Sequence, residues 1–429
     1  MLTRLYAALC AAMILFTCAL ASSQTQYQVI YNFGSNGASD GLLPSGKLLP
    51  DALGNFYGTT LGGGTNGYGT VFELSPSATG WTESVLYSFC NNGYPCPDGE
   101  YPASGLIFDE LGNLYGTTQL GGANGQVCCW GTVFELSPPA MQGGAWTESI
   151  LYTFGGNTTN DGCYPEDKLT FDAAGNLYGT ASQCNGPPYA AGSVFELTPS
   201  GGGTWNETVL YRFCANGHGS CPNGATPKAE VVFDQAGNLY GTAEYGGRGG
   251  GLGGGAAFEL SPAQSGGWTE AVLRAFLPAG GVSPLSSINI DPAGNLYGTT
   301  SSGGEFSQLC RATYCGGVFR LSKVNGQWKA TTIQFNGTNG GIPVAGLFLD
   351  SKNSAAYGTT QYGGTQGSGV VFKVQGDTES VLYNFCSQSN CADGYEPVAA
   401  LASDTSGHLY GTTSRGGAYG NGVVFEITP

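Results

Sequence analysis

The sequence predicts an all-β fold, a seven-bladed β-propeller of four-stranded antiparallel blades. Three observations carry this. A phrase of the type GNLYGTT recurs seven times. Each copy sits in a unit of four short, strand-like runs. The one strand missing from the C-terminal unit has its counterpart near the start of the chain.

The phrase reads GNFYGTT at 54–60, GNLYGTT at 112–118 and 294–300, and GNLYGTA at 175–181 and 237–243. It becomes SAAYGTT at 354–360 and GHLYGTT at 407–413. Its tyrosines, Tyr57, Tyr115, Tyr178, Tyr240, Tyr297, Tyr357 and Tyr410, are spaced by 58, 63, 62, 57, 60 and 53 residues. In the second unit the four runs are GLIFD (105–109), NLYGTT (113–118), GTVFEL (131–136) and WTESILYTF (146–154). All are short, rich in β-branched and aromatic residues, and bounded by Gly, Pro, Ser or Asn. A Pro precedes an Asp by seven residues in every unit, from Pro44 and Asp51 to Pro397 and Asp404. Such spacing implies a fixed backbone. DxxGN suits a hairpin loop whose Gly takes a positive φ and whose Asp side chain bonds backbone amides.

First strands begin near 46, 105, 168, 229, 286, 345 and 398. The chain stops at VVFEITP (423–429), before a fourth strand, yet YQVIYNF (27–33) matches ESVLYSF (83–89). Strand 27–33 is therefore expected to complete the C-terminal blade and close the ring, which hides the edges an unfinished blade would expose. Residues 22–429 form one propeller domain on this reading.

Residues 1–21 read as a signal peptide: Arg4, an apolar stretch over 5–20, and ALA at 19–21 before a cleavage site. No later segment is apolar enough to span a bilayer, and the expected location is secreted, periplasmic or cell-surface. Glycine is 74 of 429 residues, roughly 17% against a usual ~7%. The net charge of −16 argues against a nucleic-acid partner.

Twelve cysteines remain after the leader, and in an exported chain they point to disulfides. FCNNGYPCPDG (89–99), FCANGHGSCPNG (213–224) and FCSQSNCADG (385–394) suggest loop-closing pairs Cys90–Cys96, Cys214–Cys221 and Cys386–Cys391. Cys310–Cys315 is similar, and Cys163–Cys184 would link two loops. Cys128 and Cys129 form a vicinal disulfide or pair elsewhere. All twelve map to the face that carries the inter-blade and second-to-third loops. Without accompanying His a metal site is not expected, and no cofactor is implied. Both His are isolated, His218 in a cysteine-closed loop and His408 in a hairpin. Nucleophile and phosphate-cradle signatures are absent.

Length-variable loops on a rigid scaffold are where binding usually sits. The candidate ligand residues there are Tyr101, Tyr164, Tyr395, Asp98, Asp161 and Asp393, with Glu100, Glu166 and Glu396 as acidic companions. Flat aromatics beside acids suit a glycan. Acids that repeat in nearly every unit, such as Glu135 and Glu148, read as strand parts.

With GNLYGTT, GTVFELSP and WTESVLYSF in hand, the chain resembles the GloVer-type (Gloeo/Verruco) tandem repeat proteins of bacteria. That resemblance implies an exported repeat protein, often with a C-terminal sorting anchor, and no common activity. Here the sequence ends in FEITP, and on this reading no such anchor is expected. The hairpins also look like those of NHL-type propellers. The expected function is a binding or scaffold module for a glycan or surface protein. The alternatives are a polysaccharide hydrolase or lyase using non-repeating carboxylates at the channel mouth, and a structural envelope protein.

Overall fold

The computed structural model describes residues 25–122, 130–141, 143–155, 161–184, 191–215, 221–247, 253–352 and 354–429. The expected leader, Cys128, Cys129 and His218 lie outside these residues. Seven antiparallel sheets stand as the blades of a propeller. The seventh combines strands Ala402–Ser403, Leu409–Thr413 and Val423–Thr428 with Gln26–Asn32. The closing register runs from Gln26 opposite Thr428 to Asn32 opposite Val423.

The first strands pair over less length than the sequence runs suggest. In blade 2 only Ile107–Phe108 is laddered to the second strand, opposite Tyr115 and Leu114. The residues just upstream line the centre of the ring instead.

Every residue of the phrase has a structural duty, shown here for blade 2. Asp109 Oδ1 accepts from the Leu111 and Asn113 amides, both at 2.9 Å. Its Oδ2 accepts from Asn113 Nδ2 at 2.7 Å and the Tyr115 hydroxyl at 3.1 Å. In blade 7 His408 Nδ1 takes the place of the asparagine, 3.0 Å from Asp404 Oδ2. Gly116 must lack a side chain, because a Cβ there would meet Phe134 Cζ at 2.7 Å. Thr117 reaches the next blade, donating to the Asp167 carbonyl at 3.4 Å, and Thr180 does the same to Ala229 at 3.1 Å. Thr118 shares a hydrogen bond with Thr132 of the third strand at 2.8 Å.

The seams between blades hold the core. The Phe that follows each fourth strand meets the third-strand Phe of the next blade, as in Phe89–Phe134 at 5.1 Å and Phe213–Phe258 at 5.1 Å. Phe33–Phe72, at 5.2 Å, repeats the contact across the closure. Edge-to-face pairs of this kind add about 0.5–1.5 kcal/mol beyond the area they bury.

The invariant Pro is a latch on the same seam. Gly131, at φ +100°, precedes a third strand, and a Cβ there would lie 2.6 Å from Pro165 Cδ of the next blade. The residue before each Pro has a positive φ, from Leu43 (58°) through Tyr101 (58°) and Tyr164 (55°) to Glu396 (56°). Its amide crosses the seam, as from Tyr101 to the Tyr68 carbonyl at 2.9 Å.

Candidate functional site

The three residues after each Pro enter the centre of the ring, and a cavity of about 290 Å³ is lined by such residues from all seven blades. Its wall does not repeat. Blades 2, 5, 6 and 7 contribute small or apolar residues such as Ala103, Gly105, Leu285, Ser287, Val344, Gly346, Val398 and Ala400. Blades 1, 3 and 4 contribute Lys47, Glu166, Asp167, Lys168, Lys228 and Glu230. One side of the channel is thus charged and the other plain.

The charged side has two tiers. Nearer the cysteine-bearing face, Lys228 Nζ lies 3.2 Å from Glu244 Oε2 and 3.8 Å from Glu166 Oε2. Glu166 Oε1 accepts from Gln119 Nε2 at 3.3 Å and Ser182 Oγ at 3.2 Å, which ties blade 3 to the loop of blade 2. Deeper, Lys168 Nζ pairs with Glu230 Oε1 at 2.8 Å. Asp167 accepts from the Lys168 amide at 2.7 Å and the Glu230 amide at 2.8 Å. Burial, and then the neighbouring Glu230 charge, pushes the Asp167 carboxyl up to about 6. For Lys168, burial works against the charge, but the Glu230 carboxylate prevails and raises its pKa.

Lys47 differs. Among the described residues it forms no salt bridge, and burial followed by the Lys168 charge lowers its pKa. Gly105 separates the two lysines: a Cβ there would lie 3.5 Å from Lys168 Cδ and 3.5 Å from Lys47 Cβ. A cation held beside another cation favours an anionic or strongly polar group from outside.

The residues singled out in the sequence divide into two sets. Asp98, Asp161 and Asp393 are buried and brace their own loops. Asp98 accepts from the Tyr87 hydroxyl at 2.9 Å and the Asn91 amide at 2.8 Å. Asp161 accepts from Tyr152 at 2.6 Å and Gly155 at 2.9 Å. Asp393 accepts from Tyr383 at 2.7 Å and the Ser387 amide at 2.9 Å. Asp40 makes the same contacts with Tyr31 and Gly34, so these acids belong to the repeat. The tyrosines are half-buried. Tyr101 packs near Tyr68, with ring centres 6.0 Å apart, and Tyr164 near Trp130 at 5.9 Å. Tyr164 stands two residues before Glu166, so this aromatic rim adjoins the upper charged tier. Tyr395 packs against the core of blades 6 and 7. Glu396 is held by Arg311 at 3.0 Å and Arg415 at 3.2 Å, with Arg311 over the Tyr362 ring at 4.4 Å.

Among the described residues five disulfides staple this face: Cys90–Cys96, Cys163–Cys184, Cys214–Cys221, Cys310–Cys315 and Cys386–Cys391. Among the described residues no helix is long and apolar enough to cross a membrane.

Sequence reasoning passed over Lys47, Lys168, Lys228 and Glu230. The signal was available in the three residues after each Pro: Ser-Gly-Lys, Ala-Ser-Gly, Glu-Asp-Lys, Lys-Ala-Glu, Leu-Ser-Ser, Val-Ala-Gly and Val-Ala-Ala. At the third of these positions the charge runs from Lys47 and Lys168 to Glu230, with Gly, Ser or Ala in the other blades.

A family model described as the Gloeobacter/Verrucomicrobia repeat matches residues 14–252 and again 227–429. No curated protein matches the chain. Among solved structures, a Bacteroides fragilis protein provisionally assigned as a 6-phosphogluconolactonase is 15% identical, with a TM-score of 0.46 over 79% of this chain and 82% of that one. A Dyadobacter fermentans protein of unknown function is 11% identical, with a TM-score of 0.41 over 94% of this chain and 98% of that one. Likenesses of this size carry no functional argument.

Proposed function

For this chain, which belongs to the Gloeobacter/Verrucomicrobia repeat family, we propose an exported binding module that takes a glycan at the channel mouth on the cysteine-bearing face. The observation that carries the reading is the non-repeating charged cluster of blades 1, 3 and 4 in a ring whose other parts repeat. Stapled loops and the expected leader fit an extracellular or periplasmic setting. Sugar hydroxyls both donate and accept. Glu166 and Glu230 offer acceptors, Lys47 and Lys168 offer donors, and Tyr101, Tyr164 and Trp130 offer flat faces at the rim.

The test is a glycan array with residues 22–429, followed by calorimetry of each retained glycan. Lys47→Met and Tyr164→Ala are each expected to weaken binding at least tenfold. No retained glycan, or unchanged affinity in both variants, contradicts the reading.

One observation favours a second reading. Asp167, with its carboxyl pushed up to about 6, adjoins Glu230, whose amide donates to it at 2.8 Å. Two non-repeating acids, one able to carry a proton near neutral pH, are what a hydrolase or lyase requires. Release of new chain ends from a bound polysaccharide, lost in Glu230→Gln, separates this reading from binding alone.

A further inference from the structure

On the opposite face, two features of the repeat change together at the same two seams. The cross-strand partner of the phrase tyrosine is a glutamate in five blades: Glu73, Glu135, Glu196, Glu259 and Glu426. In blades 5 and 6 it is Arg320 opposite Tyr297 and Lys373 opposite Tyr357. In the same five blades the tyrosine is covered by a tryptophan from the next blade. Trp146 packs in the cluster of Tyr57, Trp205 in that of Tyr115, Trp268 in that of Tyr178 and Trp328 in that of Tyr240, while Trp81 lies 6.4 Å from Tyr410. Blade 6 has no tryptophan to lay on Tyr297, since Asp377 precedes its TES, and blade 7 has Thr25 at the matching place beside Tyr357.

Each of these two seams carries a cavity of about 580 Å³, but at the 6/7 seam Lys373 Nζ lies 5.8 Å from the Tyr357 ring centre and Tyr357 itself is buried. At the 5/6 seam the tyrosine stays uncovered. Tyr297 is the one phrase tyrosine that is not buried. A cavity of about 580 Å³ occupies the place of the missing indole, walled by Ile290, Leu349, Ala356 and Val374 with Tyr297 and Arg320. Arg320 adjoins the Tyr297 hydroxyl, its Nε is buried without a hydrogen-bond partner, and it forms no salt bridge among the described residues. Asp291 and Asp350 also border the cavity: the Asp291 oxygens are held by the Ala293 and Asn295 amides, Asn295 Nδ2 and the Tyr297 hydroxyl, and Asp350 Oδ1 accepts from the Lys352 amide at 3.0 Å.

We propose that the 5/6 seam is a binding site for a small planar aromatic carboxylate. The ring takes the place of the absent indole between Tyr297 and the apolar wall, and the carboxylate takes the guanidinium of Arg320. A buried unpaired donor is costly until an acceptor satisfies it, and arginine suits a carboxylate by its planar fork. The site is independent of the channel and of any glycan bound there.

Calorimetric titration of the mature protein with indole-3-acetate and with the neutral indole-3-acetamide tests this. The acid is expected to bind at least tenfold more tightly than the amide. Arg320→Glu, which restores the residue of five other blades, is expected to weaken the acid at least tenfold, and Lys47→Met to leave it unchanged. Equal affinities for acid and amide, no binding of either, or loss of the acid in Lys47→Met overturns the proposal. If thermal melting shows that Arg320→Glu does not fold, the acid-to-amide ratio on the native protein decides.

Discussion

The hairpin under each blade and the segment that enters the channel are neighbours in sequence and opposites in behaviour. The hairpin is the same device in six blades: an Asp that accepts amides, an Asn or His beside it, and a Tyr hydroxyl on the same oxygen, while blade 6 carries Ser354 and Ala355 at the Gly-Asn positions. The segment between the Pro and that Asp keeps its backbone but changes its side chains freely, from Val-Ala-Ala to Glu-Asp-Lys. A part kept in six of seven copies is one that geometry needs. Side chains that vary on a constant backbone are free to serve something outside the chain. The difference separates what holds the ring from what the ring presents.

The sharpest way to break the repeated part is at its latch. Gly131→Ala forces a side chain into positive φ and against Pro165 Cδ, and is expected to cost roughly 3 kcal/mol, read by denaturant unfolding. A loss under about 0.5 kcal/mol removes the latch from the account. Thr180→Val strips the hydroxyl that crosses to the Ala229 carbonyl and leaves a buried acceptor unmet, so about 1–2 kcal/mol is expected from the same measurement.

A third test concerns the acids that face each other across seams. Burial, followed by the charges of Asp40, Asp98 and Asp161, pushes Glu83 up to about 8, Glu148 up to about 8 and Glu207 up to about 7. An acid whose folded pKa is raised holds its proton better in the folded state. Its stabilisation is whole below the ordinary value of 4.5 and is lost as pH rises through the raised values. The melting temperature is therefore expected to fall between pH 5 and pH 8.5, and Glu148→Gln, which cannot ionise, to flatten that slope. A melting temperature that climbs over this range contradicts the assignment.

The smallest expected effect on stability lies in the channel. Lys47→Met removes a cation that has no salt-bridge partner among the described residues and is expected to change stability by under about 1 kcal/mol. A larger loss would place Lys47 with the repeated parts.

The fold was legible because its signals are local and repeated. Pro–Asp spacing and the Tyr-Gly-Thr run in seven copies and DxxGN in five each encode one contact, and repetition removes the ambiguity of one copy. Ring closure was legible because YQVIYNF carries the same pattern as ESVLYSF. The site was less legible. Asp98, Asp161 and Asp393 stood out because they are charged and lie in loops, but their burial under Tyr87, Tyr152 and Tyr383 follows from loop geometry that single residues do not show. Lys47 and Lys168 lie 121 positions apart in the chain, and only the ring brings them to either side of Gly105. The open 5/6 seam is an absence, a tryptophan that one repeat lacks, and its consequence appears only against a neighbouring blade.

The central claim is that the varying channel residues, and not the repeated hairpins, engage the ligand. The most direct measurement compares two variants on one retained glycan, with melting and affinity read on each. Lys47→Met is expected to keep its melting temperature and lose at least tenfold in affinity. Asn113→Ala, which breaks a hairpin bond to Asp109, is expected to lower the melting temperature and bind as the native protein does. The reverse pattern, with binding lost in the hairpin variant and kept in the channel variant, contradicts the account.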